Sequence, residues 1–560
     1  MHTPTALKPR LLIGSAATAA LALAVVAALA LSSAPTNRAH PTHGARDRSE
    51  IGQHGDASVR EDPPASSGRA GPPPSSGAAA TPVLLATPPP RGTPVSVSVA
   101  GSPAGRAVPA GFMGLSFEIR DLPTLAGYAT KGDLVALLRS LGPGVMRFGG
   151  ISADEQAAWV PAGASKPAWA NTAIDTGDLA GIAALAKKTG WSVLLTVNLG
   201  HFELTAAAQE AAAARTQLGP YLAGIEIGNE PDLFPRQHLR PPGAGIRAYL
   251  PQAVKYRAAI EAAAPGVPIA GPDPSTGAQG LTWVRDAAAT LHPQLLTDHY
   301  YPLSSCGGHP TISELLSPSV RRKESEMLAR MLSLARAHAT PLRMDETNDI
   351  SCEGEPGVSD TFASALWALD YTARAITAGA AGVNFHDLIE QPNAYSPLAA
   401  HGRAALAAGQ LRAAPEWYAL LAAHVFMGSH PPCRPLRAAV AGAAPGELTA
   451  SAVRAPDGKL SLVLVDYDPP GAAPLAVRLR VSRALAGGSV LRLTAPSPAA
   501  TAGTRLGASA VAPDGAWRTP RALPAVYGHA GSLSVQIAPD SAAVITLAPR
   551  SLLGRAALGQ

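Results

Sequence analysis

The chain has 560 residues, 47% of them apolar, 15% charged and 5% aromatic, with 54 glycines and 54 prolines. That apolar content excludes wholesale disorder, and the lack of a Gly-x-y period excludes collagen. The formal net charge of +5 would suit a nucleic-acid partner only if the excess lay on a folded surface.

It does not. Residues 1–92 hold eight Lys/Arg against five Asp/Glu, more than half of the excess, so no nucleic-acid partner is expected. Lys8 and Arg10 precede a predominantly apolar run of 21 residues, Leu11 to Leu31. A basic start followed by an apolar run is an export signal, and this run is also long enough to span a bilayer. Residues 1–34 therefore read as a cleaved signal peptide or as a single membrane anchor. In both cases the rest of the chain is secreted or held outside the cytoplasm. No other run approaches that length, which excludes a multi-span protein. Residues 35–94 hold twelve prolines and seven glycines and read as a disordered linker.

Val95, Val97 and Val99 alternate with small residues, so 95–104 reads as a strand that joins a sheet formed elsewhere in the chain. From 105 to 427, short β-like runs recur at 112–117, 145–148, 192–198, 224–227, 267–270, 296–299, 342–344 and 382–385. Helical stretches rich in Ala, Leu and Arg separate them, as at 133–141, 178–189 and 325–338. Eight such βα units predict a (β/α)8 TIM barrel. The Gly-rich dinucleotide fingerprint after the first strand is missing, which argues against an open nucleotide-binding sheet. From 428 to 550 the pattern becomes short alternating strands, at 460–467, 475–481, 489–494, 532–537 and 542–547, predicting a C-terminal antiparallel β-sandwich.

In such a barrel, polar residues at the C-terminal strand ends carry the chemistry. The fourth run ends in Ile227-Gly228-Asn229-Glu230-Pro231 and the seventh in Met344-Asp345-Glu346-Thr347. Glu230 and Glu346 are three βα units apart, so a closed barrel can aim both carboxylates into one pocket. Asp345, one residue off Glu346, is expected to point away from the axis. Paired carboxylates suit glycoside hydrolysis, one as acid and one as nucleophile or base.

Gly-Asn-Glu-Pro at strand four with Glu at strand seven resembles clan A of the glycoside hydrolases. Longer stretches resemble its family 79, which contains heparanase and β-glucuronidases. These are Met146-Arg147-Phe148-Gly149-Gly150, Glu226 to Asp232, Gly271-Pro272-Asp273, His299-Tyr300-Tyr301, Glu346-Thr347 and Ser359-Asp360-Thr361-Phe362. The resemblance implies a retaining enzyme acting on β-linked sugars, with Glu230 as general acid/base and Glu346 as nucleophile. It implies that Asn229 bonds the sugar 2-hydroxyl and that Arg147 and Tyr300 hold the nucleophile, Tyr301 being the alternative to Tyr300 and a buried ion pair inside the barrel the other reading of Arg147. Tyr395, after Gln391-Pro392-Asn393, resembles a tyrosine that touches a uronic carboxylate; a plain loop aromatic is the other reading. His386 at the end of strand eight lines the pocket or is a hydrogen-bonded core histidine. The chemistry calls for no cofactor or metal.

Two departures stand out. Where the family places a glycine loop whose amides contact the uronic carboxylate, this chain has Ser351-Cys352-Glu353-Gly354. The segment after strand one is too short for an excised linker, so a single uncut chain is expected. The cysteines number three: Cys306, Cys352 and Cys433. The first two lie in the loops after strands six and seven, which are neighbours, so a Cys306–Cys352 disulfide is expected with Cys433 free. No Cys/His cluster suggests zinc. Two alternatives stay open: another clan A specificity, such as a glucoside or xyloside, and a surface carbohydrate-binding protein on a barrel without catalysis.

Overall fold

The computed structural model describes residues 83–85, 90–275, 277, 279–428, 432–442, 447–529, 532–550 and 552. The segment read as export signal or anchor, and the linker up to residue 82, lie outside the described residues. Val83–Leu85 differ from the linker reading, since they form a strand parallel to Ala522–His529. Among the described residues no helix is long and apolar enough to cross a membrane.

Eight parallel strands close into a barrel. They are β1 (Met113–Glu118), β2 (Val145–Gly149), β3 (Ser192–Val197), β4 (Leu222–Ile227), β5 (Ile269–Gly271), β6 (Leu295–Tyr300), β7 (Leu342–Thr347) and β8 (Gly382–Asp387). They follow chain order around the ring, and β8 pairs with β1. Such strands are covered on both faces and so read as nearly continuous apolar runs. The polar exceptions include Glu118, Arg147, Glu226, His299, Asp345, Glu346 and His386, the residues that matter below. The crossover helices carry local stop and start signals. Asp175 caps Thr176–Thr189 by accepting from the Gly177 and Asp178 amides, and Asp178 bonds back to the Asp175 amide. Gly190 ends that helix in the left-handed conformation.

The second domain is a mostly antiparallel sheet of eleven strands. Thr93–Pro103 lies in its middle, antiparallel to Arg434–Ala441 and parallel to Leu475–Arg480. The sheet folds over so that Ala522–His529 also pairs with Leu485–Thr494, and Val97, Leu462, Leu464, Val477 and Ile545 fill the core between its layers. Side chains alternate along a strand. On Leu460–Asp466, Leu462 and Leu464 therefore face that core, while Val463 and Val465 join the barrel core. The barrel helices Phe362–Ala378 and Pro415–Met427 lie against this second face and are buried on nearly all sides, as helices with neighbours all round must be. A polar seam sits beside them. Arg374 contacts Glu324 at 2.5 Å and Asp370 at 3.2 Å, and Arg321 stacks 3.9 Å over the Tyr467 ring.

Candidate active site at the barrel mouth

β4 runs into a turn that presents Asn229 and Glu230. Gly228 takes a positive φ there, and a Cβ on it would lie 2.9 Å from the Leu199 side chain. Glu230 itself adopts φ 46°, an uncommon and mildly costly backbone state for a non-glycine residue. Its amide donates to the Asp273 carbonyl at 2.9 Å, which fixes the turn. The Asn229 amide donates to Asp154 Oδ2 at 2.6 Å, and Asp154 also accepts from the Leu199 and Gly200 amides. Burial pushes Asp154 up to about 6 despite these three donors. Sequence reasoning missed Asp154, because the helix that carries it, Ser152–Glu155, is one turn long and shows no period.

Arg147 on β2 is the hub, with no exposed surface. Its Nη1 donates to Glu346 Oε2 at 2.7 Å, its Nε to Glu226 Oε2 at 2.8 Å and its Nη2 to Asn229 Oδ1 at 2.8 Å. It therefore lies beneath the carboxylates and holds them, instead of lining the pocket as a substrate-binding group. By taking the Asn229 oxygen, it leaves Nδ2 of that amide to donate outward; among the described residues Nδ2 has no partner.

Two expectations at β6 and β7 need correction. Asp345 does not point away from the axis. Its Oδ2 lies 3.1 Å from Arg147 Nε. Pairing with β6 skips from Met344 to Glu346, so β7 carries a bulge, and a bulge breaks strict alternation. Both Asp345 and Glu346 thus reach Arg147. The tyrosine on Glu346 is Tyr301, whose hydroxyl donates to Oε1 at 2.8 Å. Tyr300 faces outward and stacks on Tyr371 with ring centres 5.9 Å apart. His299 faces inward, so alternation sends Tyr300 out and Tyr301 in.

His299 joins the two acids. Its Nδ1 lies 3.1 Å from Glu230 Oε1 and 3.7 Å from Glu346 Oε1. One carboxylate oxygen from each glutamate and one His299 nitrogen all fall within 4.8 Å of one another. His386 is buried between Glu346 and Glu118, 3.7 Å from the former and 3.6 Å from the latter. Tyr395 packs on Tyr301 and His386 at 5.9 and 5.6 Å between ring centres. Glu118 and Glu226 were not singled out from the sequence; their signal is an acid inside an apolar barrel strand.

The two glutamates sit in opposed electrostatic settings. Burial pushes both carboxyls up. At Glu230 burial wins over the bond from His299, and the Glu346 charge adds to it, so the carboxyl stays above its ordinary value. At Glu346 the charges of His386, His299 and Arg147 and the Tyr301 hydroxyl outweigh burial and hold it well below the usual range. Such a pair can keep a proton on Glu230 while Glu346 stays ionised.

Cys306 and Cys352 form a disulfide with Cα atoms 5.7 Å apart, and Cys433 is free and buried. The bond pins the loops after β6 and β7, where Leu303–Ser304 pairs with Ile350–Ser351. Closing a loop with a sequence separation of 46 stabilises by about 4 kcal/mol in the chain-entropy model. A Cys306→Ser/Cys352→Ser protein should lose roughly that much in urea denaturation; a loss under about 1 kcal/mol would contradict this.

No family model and no curated protein sequence matches the chain. Solved structures do. A 4-O-α-L-rhamnosyl-β-D-glucuronidase from Fusarium oxysporum aligns with TM-score 0.67 and 18% identity, covering 80% of this chain and 100% of that one. A family GH51 arabinofuranosidase from Xanthomonas axonopodis aligns with TM-score 0.57 and 14% identity, covering 81% and 100%. A family GH44 xyloglucanase from Paenibacillus polymyxa aligns with TM-score 0.53 and 12% identity, with the same coverage. At these identities the likeness establishes the barrel-plus-sheet fold.

Proposed function

We propose that this protein is a retaining glycoside hydrolase that cleaves β-linked glycosides by double displacement. One observation carries the reading: one oxygen from each of two carboxyl groups within 4.8 Å of the other, with the proton affinity of Glu230 raised by burial and that of Glu346 lowered by the cations around it. Such close approach suits direct attack by one carboxylate, whereas an inverting site sets its two carboxyl groups further apart to admit a water. Glu346 attacks the anomeric carbon as the bond to the leaving oxygen breaks, and Glu230 gives that oxygen its proton. Glu230 then takes a proton from water, which attacks the same carbon and releases Glu346. Asn229 Nδ2 donates to the sugar 2-hydroxyl. The fold shared with glycoside hydrolases supports the reading.

The pH dependence follows from the two settings. Glu346 works as an anion, so activity falls as pH drops through its lowered pKa. Glu230 works as an acid, so activity falls as pH rises through its raised pKa. The kcat/KM profile should be a bell, its acid limb below the usual carboxylate range and its basic limb above it. A single limb at an ordinary carboxylate value would argue against the paired roles.

For the sugar, β-glucuronides are one candidate, supported by the rhamnosyl-glucuronidase among the fold neighbours. A neutral glycoside is the second, and it rests on Glu353. Cys352 and Glu353 both take positive φ in the disulfide-pinned loop, and Glu353 is near enough for its charge to act on Tyr395. A carboxylate at that rim repels a uronate. A panel of aryl β-glycosides separates the two: hydrolysis of glucosides or xylosides with none of glucuronides removes the uronate reading. Binding without turnover of any of them points instead to a carbohydrate-binding protein. Export follows from the N-terminal basic and apolar segments and suits a chain with a disulfide. Recovery of the protein only from the cytoplasm would refute it.

A further inference from the structure

Below Glu346 four carboxyl groups meet two arginines; Arg343 on β7 feels the Asp345 and Glu226 charges, but its donors go to Asn384 and to the Gly111 and Phe112 carbonyls. Arg147 offers one positive charge to Glu226, Glu346 and Asp345. Asp273, in the turn after β5, adds a fourth acid, and one ligating atom each from Asp273, His299 and Asp345 lies within 4.8 Å of the others. All three side chains are buried. With both acids drawn ionised, the four carboxylate oxygens of Asp273 and Asp345 have no aligned hydrogen-bond donor among the described residues, and His299 Nε2 has no partner. Two such carboxylates facing each other away from water repel, and each lacks a donor. One proton between them removes both penalties, because the neutral acid then donates to the charged one.

We propose that Asp273 and Asp345 share a single proton and together present one negative charge to His299 Nε2, as positioning residues for the imidazole that bonds Glu230. His299 Nε2 lies 3.9 Å from Asp345 Oδ2, and its Nδ1 lies 3.1 Å from Glu230 Oε1. The aspartate pair thus faces Nε2 and the ionised Glu346, its Oε1 3.7 Å away, faces Nδ1; against the cost of burial, the Glu346 charge favours the charged imidazole. Burial, with the Asp273 charge added, drives the Asp345 carboxyl far up, which makes Asp345 the usual holder of the proton. The remaining charges on the facing elements fit this balance. Glu226 on β4 favours the Arg147 charge on β2. His386 on β8 lies beyond Glu346, and burial drives the Asp298 carboxyl on β6 far up.

The consequence rests on the reading of Glu230 as the acid/base. A charged His299 holds the Glu230 carboxyl in one orientation while it gives up its proton and regains it, and no proton leaves the aspartate pair during the cycle. Asp345 can take part only because of the β7 bulge.

The test needs no turnover, so its failure and the failure of the hydrolase reading are separate results. Infrared difference spectra of the wild type against Asp345→Asn at neutral pH should show a protonated carboxyl band lost in the variant. Histidine-labelled NMR reads the His299 titration directly. In Asp345→Asn or Asp273→Asn the asparagine donates to the remaining carboxylate, one negative charge persists and the His299 midpoint should hold. In the Asp273→Asn/Asp345→Asn double variant that charge is gone, and the midpoint should fall by about one pH unit or more. Three results overturn the proposal: no carboxyl band, a midpoint in Asp345→Asn as low as in the double variant, or a stoichiometric divalent ion in the purified protein. Circular dichroism checks folding. If the double variant does not fold, the single variants and the infrared band still decide.

Discussion

Glu346→Ala should lower turnover of an aryl β-glycoside by on the order of 100,000-fold, about 7 kcal/mol in barrier. The loss is large because four side chains of the site are set to hold this carboxylate ionised. Arg147, His299, His386 and Tyr301 converge on it, and none of them can replace it as the group that attacks the sugar. The substitution also leaves a small space facing the anomeric carbon. Added azide should enter that space, attack from the vacated face and give a glycosyl azide of inverted configuration. Hydrolysis within about tenfold of the wild type would take the nucleophile role away from Glu346.

Glu230→Ala should split by leaving group. Donation of a proton in the transition state contributes about 100- to 10,000-fold. Glycosides with alcohol leaving groups, which need that proton, should lose roughly 1,000-fold in kcat/KM. Dinitrophenyl glycosides, whose leaving group departs without help, should lose less than about tenfold at the same step. An equal loss for both substrates would mean that Glu230 acts on binding or folding, not as the acid. Glu346→Ala should show no such split, so the two variants together assign the two roles.

Much of this was legible in the sequence because it depends on period and spacing. The eight barrel strands stand out as apolar runs since each is covered on both faces, and Glu230 and Glu346 stand out since they follow such runs directly. The Cys306–Cys352 bond follows from neighbouring strands carrying neighbouring loops. What failed was what depends on one residue of register. Strict alternation puts Asp345 outside the barrel, and only the pairing of β7 with β6 shows the inserted residue that turns it in. The choice between Tyr300 and Tyr301 turned on the same parity. Arg147 was found beside the nucleophile and also read as a buried ion pair, and the structure shows both at once; its further partners Glu226 and Asn229 come from across the barrel. Asp154 acts on backbone amides from the four-residue helix Ser152–Glu155 and Asp273 on buried neighbours from a loop, and neither segment is long enough to carry a period.

The position of Thr93–Pro103 in the middle of the sheet has a consequence for synthesis. This strand leaves the ribosome early, but its neighbours Arg434–Ala441 and Leu475–Arg480 come more than about 330 residues later. At 5–20 residues per second it waits roughly 20 to 70 seconds with Val95 and Val97 unpaired and both edges open. For that interval it is a free apolar edge of the kind that invites pairing with other chains. A holding chaperone, or a nascent chain kept dilute, is therefore part of making this molecule, and cutting the gene at the end of the barrel leaves that strand without partners for good.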